Sequence, residues 1–214
     1  MLKVVFQGDS ITDSGHARDN EFNKGFGYVG MASGMLGAES PHEYEFYNRG
    51  IGGDRMHNIL ARNQRDVHEL RPDVVSLLGG INDVWYYLDK PGGFDKAYYS
   101  MIYEIILNEI KKALPDAKII TFGTFVLPGD NTGSEDSDKW AAFCEGSRVC
   151  SECNKAVSEK FGITYTPLQN LFDEALLKRR EYSYWLKDGI HPTVAGHWLI
   201  ANEWIRVFKS EIQK

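Results

Sequence analysis

The chain has 214 residues, of which 43% are hydrophobic and 25% charged, a balance that excludes disorder or a fibrous repeat and provides length for a substantial buried core. Thirty acidic residues against 24 basic ones give a formal net charge of -6, and no cluster of Lys and Arg offsets it locally. Phosphate backbones and anionic lipid are repelled by such a chain, so nucleic acid and membranes are not expected partners.

Met1, Leu2 and Lys3 lead straight into a short apolar run, too short for the core of a signal peptide, and no apolar stretch is long enough to span a bilayer. The three cysteines, Cys144, Cys150 and Cys153, are odd in number and crowded into one segment, which argues against a secreted disulfide framework. A reduced, cytoplasmic protein is expected. Cys150 and Cys153 have a C-x-x-C spacing, but no second pair or nearby histidine completes a zinc shell, and they read as helix residues.

In chain order the pattern alternates. A strand is expected over 2–6, a helix over 27–36, a strand over 45–47 and a helix over 56–70. A strand over 74–78 precedes a helix over 98–114, and a strand over 119–122 precedes a helix over 140–161. The last strand, 163–165, is followed by a short helix over 168–179 and a final one over 193–212. Pro72 and Pro115 punctuate helix-to-strand turns, and Pro192 stands near the start of the last helix, where proline is tolerated. No linker or internal repeat divides the chain, so residues 1–214 are expected to form one α/β domain with a parallel sheet between helical layers.

Ligands of such sheets gather outside the carboxyl ends of the strands. Those ends carry Gly8, Asp9 and Ser10; "NRGIGGDR" from Asn48 to Arg55; "GGINDVW" from Gly79 to Trp85; and Gly123 and Thr124. Each alone reads equally as turn chemistry. Together they make Ser10 a candidate nucleophile, which needs a base and a group to orient that base. "DGIHP" supplies both on one loop, with Asp188 three residues before His191. The glycine turn can aim backbone N–H groups, and Asn82 a side-chain amide, at a developing oxyanion. Gly50-x-Gly52 is followed by Arg55 where a dinucleotide site needs glycine, and a Walker lysine is missing.

The four ordered blocks, Gly8 to Ile11, Gly53 within "NRGIGGDR", Asn82 within "GGIND", and Asp188-x-x-His191-Pro192, resemble those of the SGNH hydrolases, the GDSL esterase and lipase family. The resemblance implies a three-layer α/β/α, flavodoxin-like fold with a mostly parallel five-stranded sheet. It implies a serine esterase with Ser10 as nucleophile, His191 as base and then acid, and Asp188 as its orienter. Ser10 N–H, Gly53 N–H and Asn82 would form the oxyanion hole, with no metal or other cofactor. No G-x-S-x-G elbow is present, so the α/β-hydrolase nucleophile turn is not the template.

Longer matches, among them "GYV" at Gly27, "FVLPG" at Phe125 and "DGIHPTVAGHWLIANEW", are similar to the bacterial carbohydrate acetylesterase branch, including intracellular xylan-oligosaccharide deacetylases. That implies a small or oligosaccharide ester substrate, and related deacetylases often form homo-oligomers. Asp9 and Arg55, beside Ser10 and the glycine turn, are candidate substrate contacts. So are Trp85, Tyr184 and Trp185, whose flat rings suit sugar faces. The polar loop over 128–139 reads as solvated surface on the ligand face, with a rim or lid as the alternative, and His197 as a structural or hydrogen-bonding residue. Two other readings stay open: a lysophospholipase or thioesterase on the same machinery, and a carbohydrate-binding relative without catalysis.

Overall fold

The computed structural model describes residues 1–88 and 90–212. Its first half runs β1 (Leu2–Gly8), α1 (Ser10–Asp13), α2 (Tyr28–Glu39), β2 (Tyr44–Gly50), α3 (Met56–Asn63), a π-helical turn (Gln64–His68), β3 (Val74–Leu78) and α4 (Ile81–Tyr87). The second half runs α5 (Lys96–Ala113), β4 (Lys118–Phe122), α6 (Asp138–Lys160), β5 (Thr164–Thr166), α7 (Gln169–Lys178), α8 (Tyr182–Trp185) and α9 (Val194–Ile212). The five strands are all parallel, in the order β2-β1-β3-β4-β5. This is the expected doubly wound sheet, fully rather than mostly parallel.

Burial on both faces explains why β1, β3 and β4 carry runs rich in Val, Ile, Leu and Phe, whereas β2 at the sheet edge alternates. On one face α2 packs against α9, and Phe6 of β1 meets Trp204 at 4.5 Å and Tyr28 at 5.8 Å between ring centroids. Trp204 stacks on Phe208 at 4.8 Å. Its indole N–H would be orphaned in such a core, and it donates to Ser76 Oγ on β3 at 2.9 Å. Helices α3, α5 and α6 pack side by side over the other face, where alternation places Val5, Val75 and Leu77.

Register positions the functional loops. Gly8 at the end of β1 pairs with both Gly50 at the end of β2 and Leu78 at the end of β3. Three neighbouring strands therefore stop at one level, and the chain after each enters the same surface. Two of these strands run past the expected limits because Gln7 and Asn48, although polar, are buried in the sheet. The cysteines lie on α6 as free thiols, with Cys150 and Cys153 buried. Among the described residues no helix is long and apolar enough to cross a membrane.

Candidate active site

At the end of β1 the chain turns into α1 because Asp9 caps it: Asp9 Oδ1 accepts the Ile11 N–H at 3.0 Å. Ser10 is the first residue of that short helix. Its Oγ lies 3.0 Å from His191 Nε2, and His191 Nδ1 lies 2.8 Å from Asp188 Oδ2. A residue from the first strand end thus joins two from the far end of the chain in one unbroken hydrogen-bonded relay.

The Asp188 to His191 turn is held from behind. Asp188 Oδ1 accepts backbone N–H groups of Ile190 at 3.1 Å and His191 at 2.8 Å, while Leu186 and Pro192 bridge across the turn. Burial works to raise the Asp188 carboxyl, but the bonds from the His191 N–H, the His191 imidazole and the Ile190 N–H outweigh it and hold it below the ordinary carboxylate range. The carboxylate stays charged beside the imidazole. The chain from Leu127 to Asn131, which enters the polar loop read as solvated surface or lid, buttresses this turn. Leu127 N–H donates to Gly189 O and Asn131 N–H to Asp188 O, both at 2.9 Å. A Cβ at Gly129 would sit 2.5 Å from the Asp188 carbonyl carbon, so only glycine allows this approach.

The oxyanion candidates meet on the loop after β2. Gly53 has φ +82°, a conformation that glycine adopts without strain. A Cβ built on Gly52 would lie 3.8 Å from Ser10 Cβ, which sets the loop directly beside the serine. Asp13 Oδ2 accepts the Gly52 N–H at 3.1 Å, and Asn82 Nδ2 donates to Asp54 O at 3.0 Å. One Asn82 N–H is used in locking the loop; the amide carries a second.

Arg62, which the sequence reading did not single out, ties this assembly together. Although it is only 8% exposed, its guanidinium reaches Asp54 Oδ2 at 2.7 Å, Asp66 Oδ2 at 2.7 Å, Arg49 O at 2.6 Å and Gly8 O at 2.8 Å. Gly8 immediately precedes Asp9 and Ser10, and Asp54 follows Gly53. A planar fork of N–H donors satisfies all four acceptors at once.

Burial corrects two of the expected substrate contacts, Asp9 and Trp185, while Trp85, Tyr184 and Arg55 keep exposed surface but do not line the cavity of Ser10 and His191. Asp9 has no exposed surface, so its carboxylate caps α1 and does not reach a substrate. Trp85 packs edge-on against Phe143 at 6.1 Å, and Trp185, 8% exposed, donates its indole N–H to Arg179 O at 2.8 Å. Tyr184 lines a separate groove with Trp198, and the Arg179 guanidinium stacks on its ring. Arg55 stacks at 3.8 Å on the exposed Tyr86, one residue past Trp85. The cavity that holds Ser10 and His191 has a volume of about 480 Å³ and is lined also by Phe26, Lys187 and His197.

His197 is a hydrogen-bonding residue, as expected. Burial, helped by His191 and Lys187, pushes its imidazole down to about 4, so it is neutral. The Tyr28 N–H donates to Nδ1 at 3.2 Å, which puts the proton on Nε2, 3.1 Å from Ser14 Oγ.

Asp9 shows the opposite effect. Burial, with Asp83 and Asp54 adding to it and the Ile11 N–H opposing, pushes its carboxyl from 3.8 up to about 7, and its Oδ2 has no partner among the described residues. Folding therefore takes up a proton, and the group subtracts stability as pH rises from about 4 through about 7. Asn keeps the cap without the charge. Relative to wild type, Asp9→Asn is expected to melt higher near pH 8 than near pH 5. A difference in Tm that is the same at both pH values would contradict the assignment.

Comparison with known proteins decides the family. Residues 6–199 match the model of the GDSL-like lipase/acylhydrolase family. The chain belongs to that family. An acetylxylan esterase of Geobacillus stearothermophilus is 32% identical to this GDSL-family chain over 95% of its length and 92% of the relative's. The crystal structure of that acetylxylan esterase matches with TM-score 0.80 at 31% identity, covering 96% of this chain and 93% of the other. A GDSL-like protein from Parabacteroides merdae matches with TM-score 0.85 at 29% identity, covering 96% and 94%. The GDSL-family chain is a carboxylic ester hydrolase.

Proposed function

We propose that this esterase removes acetyl groups from carbohydrate esters through an acetyl-Ser10 intermediate. The observation that carries the reading is the relay from Ser10 Oγ through His191 to Asp188, at 3.0 and 2.8 Å. His191 Nε2 takes the serine proton as Oγ attacks the ester carbonyl, while Asp188 holds Nδ1–H and so fixes the tautomer. The negative charge that develops on the carbonyl oxygen is received by the Ser10 and Gly53 N–H groups and the free N–H of Asn82. Collapse expels the alcohol, which leaves with the proton from His191. Water then attacks the acetyl-serine with His191 again as base, releasing acetate and restoring Oγ–H. Likeness to an acetylxylan esterase over nearly the whole chain supports both the acetyl group and the sugar alcohol.

The Gly52 backbone beside Ser10 supports a small acyl pocket. Rates on a chain-length series test this. A lipase groove gains about 0.8 kcal/mol per buried methylene, whereas overfilling a closed pocket costs about 1–3 kcal/mol. With nitrophenyl acetate, butyrate and octanoate, each below its micelle-forming concentration, kcat/KM is expected to fall along the series. A rise toward octanoate would replace the acetylesterase reading with the lysophospholipase or thioesterase one.

A further inference from the structure

We propose that Phe26 is the platform on which the sugar ring of the substrate's alcohol rests; the inference builds on the carbohydrate reading above. Phe26 lines the cavity that contains Ser10 and His191, yet 79% of it is exposed. Exposed apolar side chains are common, but this ring stands open at the mouth of the reactive cavity, where covering it with a ligand removes apolar surface from water.

Its position is fixed from below. The Phe26 N–H donates to Ser14 O at 2.9 Å, and the ring lies on the backbone of Gly15, where a Cβ would come within 3.1 Å of ring carbon Cε2. Two residues earlier, Asn48 Nδ2 holds Lys24 O at 2.8 Å. The ring is thus fastened to the same α1 segment that carries Ser10. Its exposed surface faces solvent and no neighbouring ring stacks on it among the described residues.

The aromatics expected from sequence to meet the sugar, Trp85, Tyr184 and Trp185, do not line this cavity, and Phe26 does. The carbon-bound hydrogens on one side of a sugar ring are weakly positive and match the negative face of an aromatic ring. Lys187 lines the same cavity, and its ammonium has no ion-pair partner among the described residues. Its three N–H donors suit the hydroxyl oxygens at the edge of a ring lying on Phe26. An apolar wall with a few polar groups that fix orientation is the usual composition of a small-ligand site.

The test compares the mutant-to-wild-type ratio on two acetyl esters, one whose alcohol has no ring, ethyl acetate, and one whose alcohol is a sugar ring, a peracetylated methyl xyloside. For Phe26→Ala, kcat/KM on ethyl acetate is expected to stay within about twofold of wild type, while that on the xyloside falls about tenfold, chiefly through KM. Phe26→Tyr should restore the xyloside rate. Equal losses on both esters would show that Phe26 holds the catalytic segment, and an unchanged xyloside rate would show that the ring touches nothing; either result overturns the platform. Failure of the wild-type enzyme to cleave the xyloside would instead overturn the carbohydrate reading and the platform with it.

Discussion

Ser10→Ala is expected to lower kcat on any acetyl ester by roughly a millionfold while leaving the melting temperature nearly unchanged, since removing a triad nucleophile elsewhere costs that much. The loss follows from chemistry that no neighbour can replace. His191 would still be held by Asp188, and the oxyanion donors would remain, but no oxygen would stand 3.0 Å from Nε2 to attack. The fold should tolerate the change because Ser10 opens a helix, where alanine is a good former, and the cap is made by Asp9. Circular dichroism and thermal melting, run beside the rate assay, separate lost chemistry from lost structure. A variant that keeps more than about a hundredth of the rate would reject Ser10 as nucleophile.

Arg62→Met should be the most damaging substitution for stability, costing about 3–5 kcal/mol, because it removes one partner of a buried charge cluster and leaves the other partners behind. Asp54 would lose its guanidinium partner, and the carbonyls of Gly8 and Arg49 would lose a donor, whereas Asp66 would keep Arg65 at 2.6 Å. For a chain of this size the expected fall in Tm is on the order of 10 °C. Arg62→Lys keeps the charge but not the fork, so it should fall between the two. Activity should drop as well at temperatures where the variant is folded, since the loop carrying Gly53 would lose its anchor. A Tm within about 2 °C of wild type would show that the cluster contributes little.

The parts of this design that could be read from sequence are those in which local chemistry decides. β3 spans the residues expected, 74–78, because Val, Ser and Leu there are flanked by Pro72 and by two glycines. Ser10 and Asn82 are legible because each stands in a short block at a strand end, where the sheet register brings the ends of β1, β2 and β3 to one level, and Asp188 and His191 because one short loop before α9 carries both. What escaped depends on distant packing. Trp85 and Trp185 stand in aromatic clusters close to the site blocks in sequence but pack against the core, while Phe26, between two glycines in a polar stretch before α2, is left open. Arg62 reads as one more surface charge on a helix; only the fold places Gly8 O, Arg49 O and two carboxylates around it. The π-helical turn at Gln64–His68 interrupts what the periodicity presents as one helix over 56–70. The short helices α1, α4 and α8 have too few residues to show a period.

Covalent labelling addresses the central claim most directly. A fluorophosphonate reacts with a serine oxygen only where a neighbouring base activates it and oxyanion donors receive the phosphoryl oxygen, so it reports the assembled site rather than any one residue. Peptide mass mapping of the inactivated enzyme should find one label per chain, on the peptide containing Ser10, with loss of activity in proportion to its incorporation and no labelling of Ser10→Ala. A label on another residue, or full esterase activity in stoichiometrically labelled protein, would contradict the account.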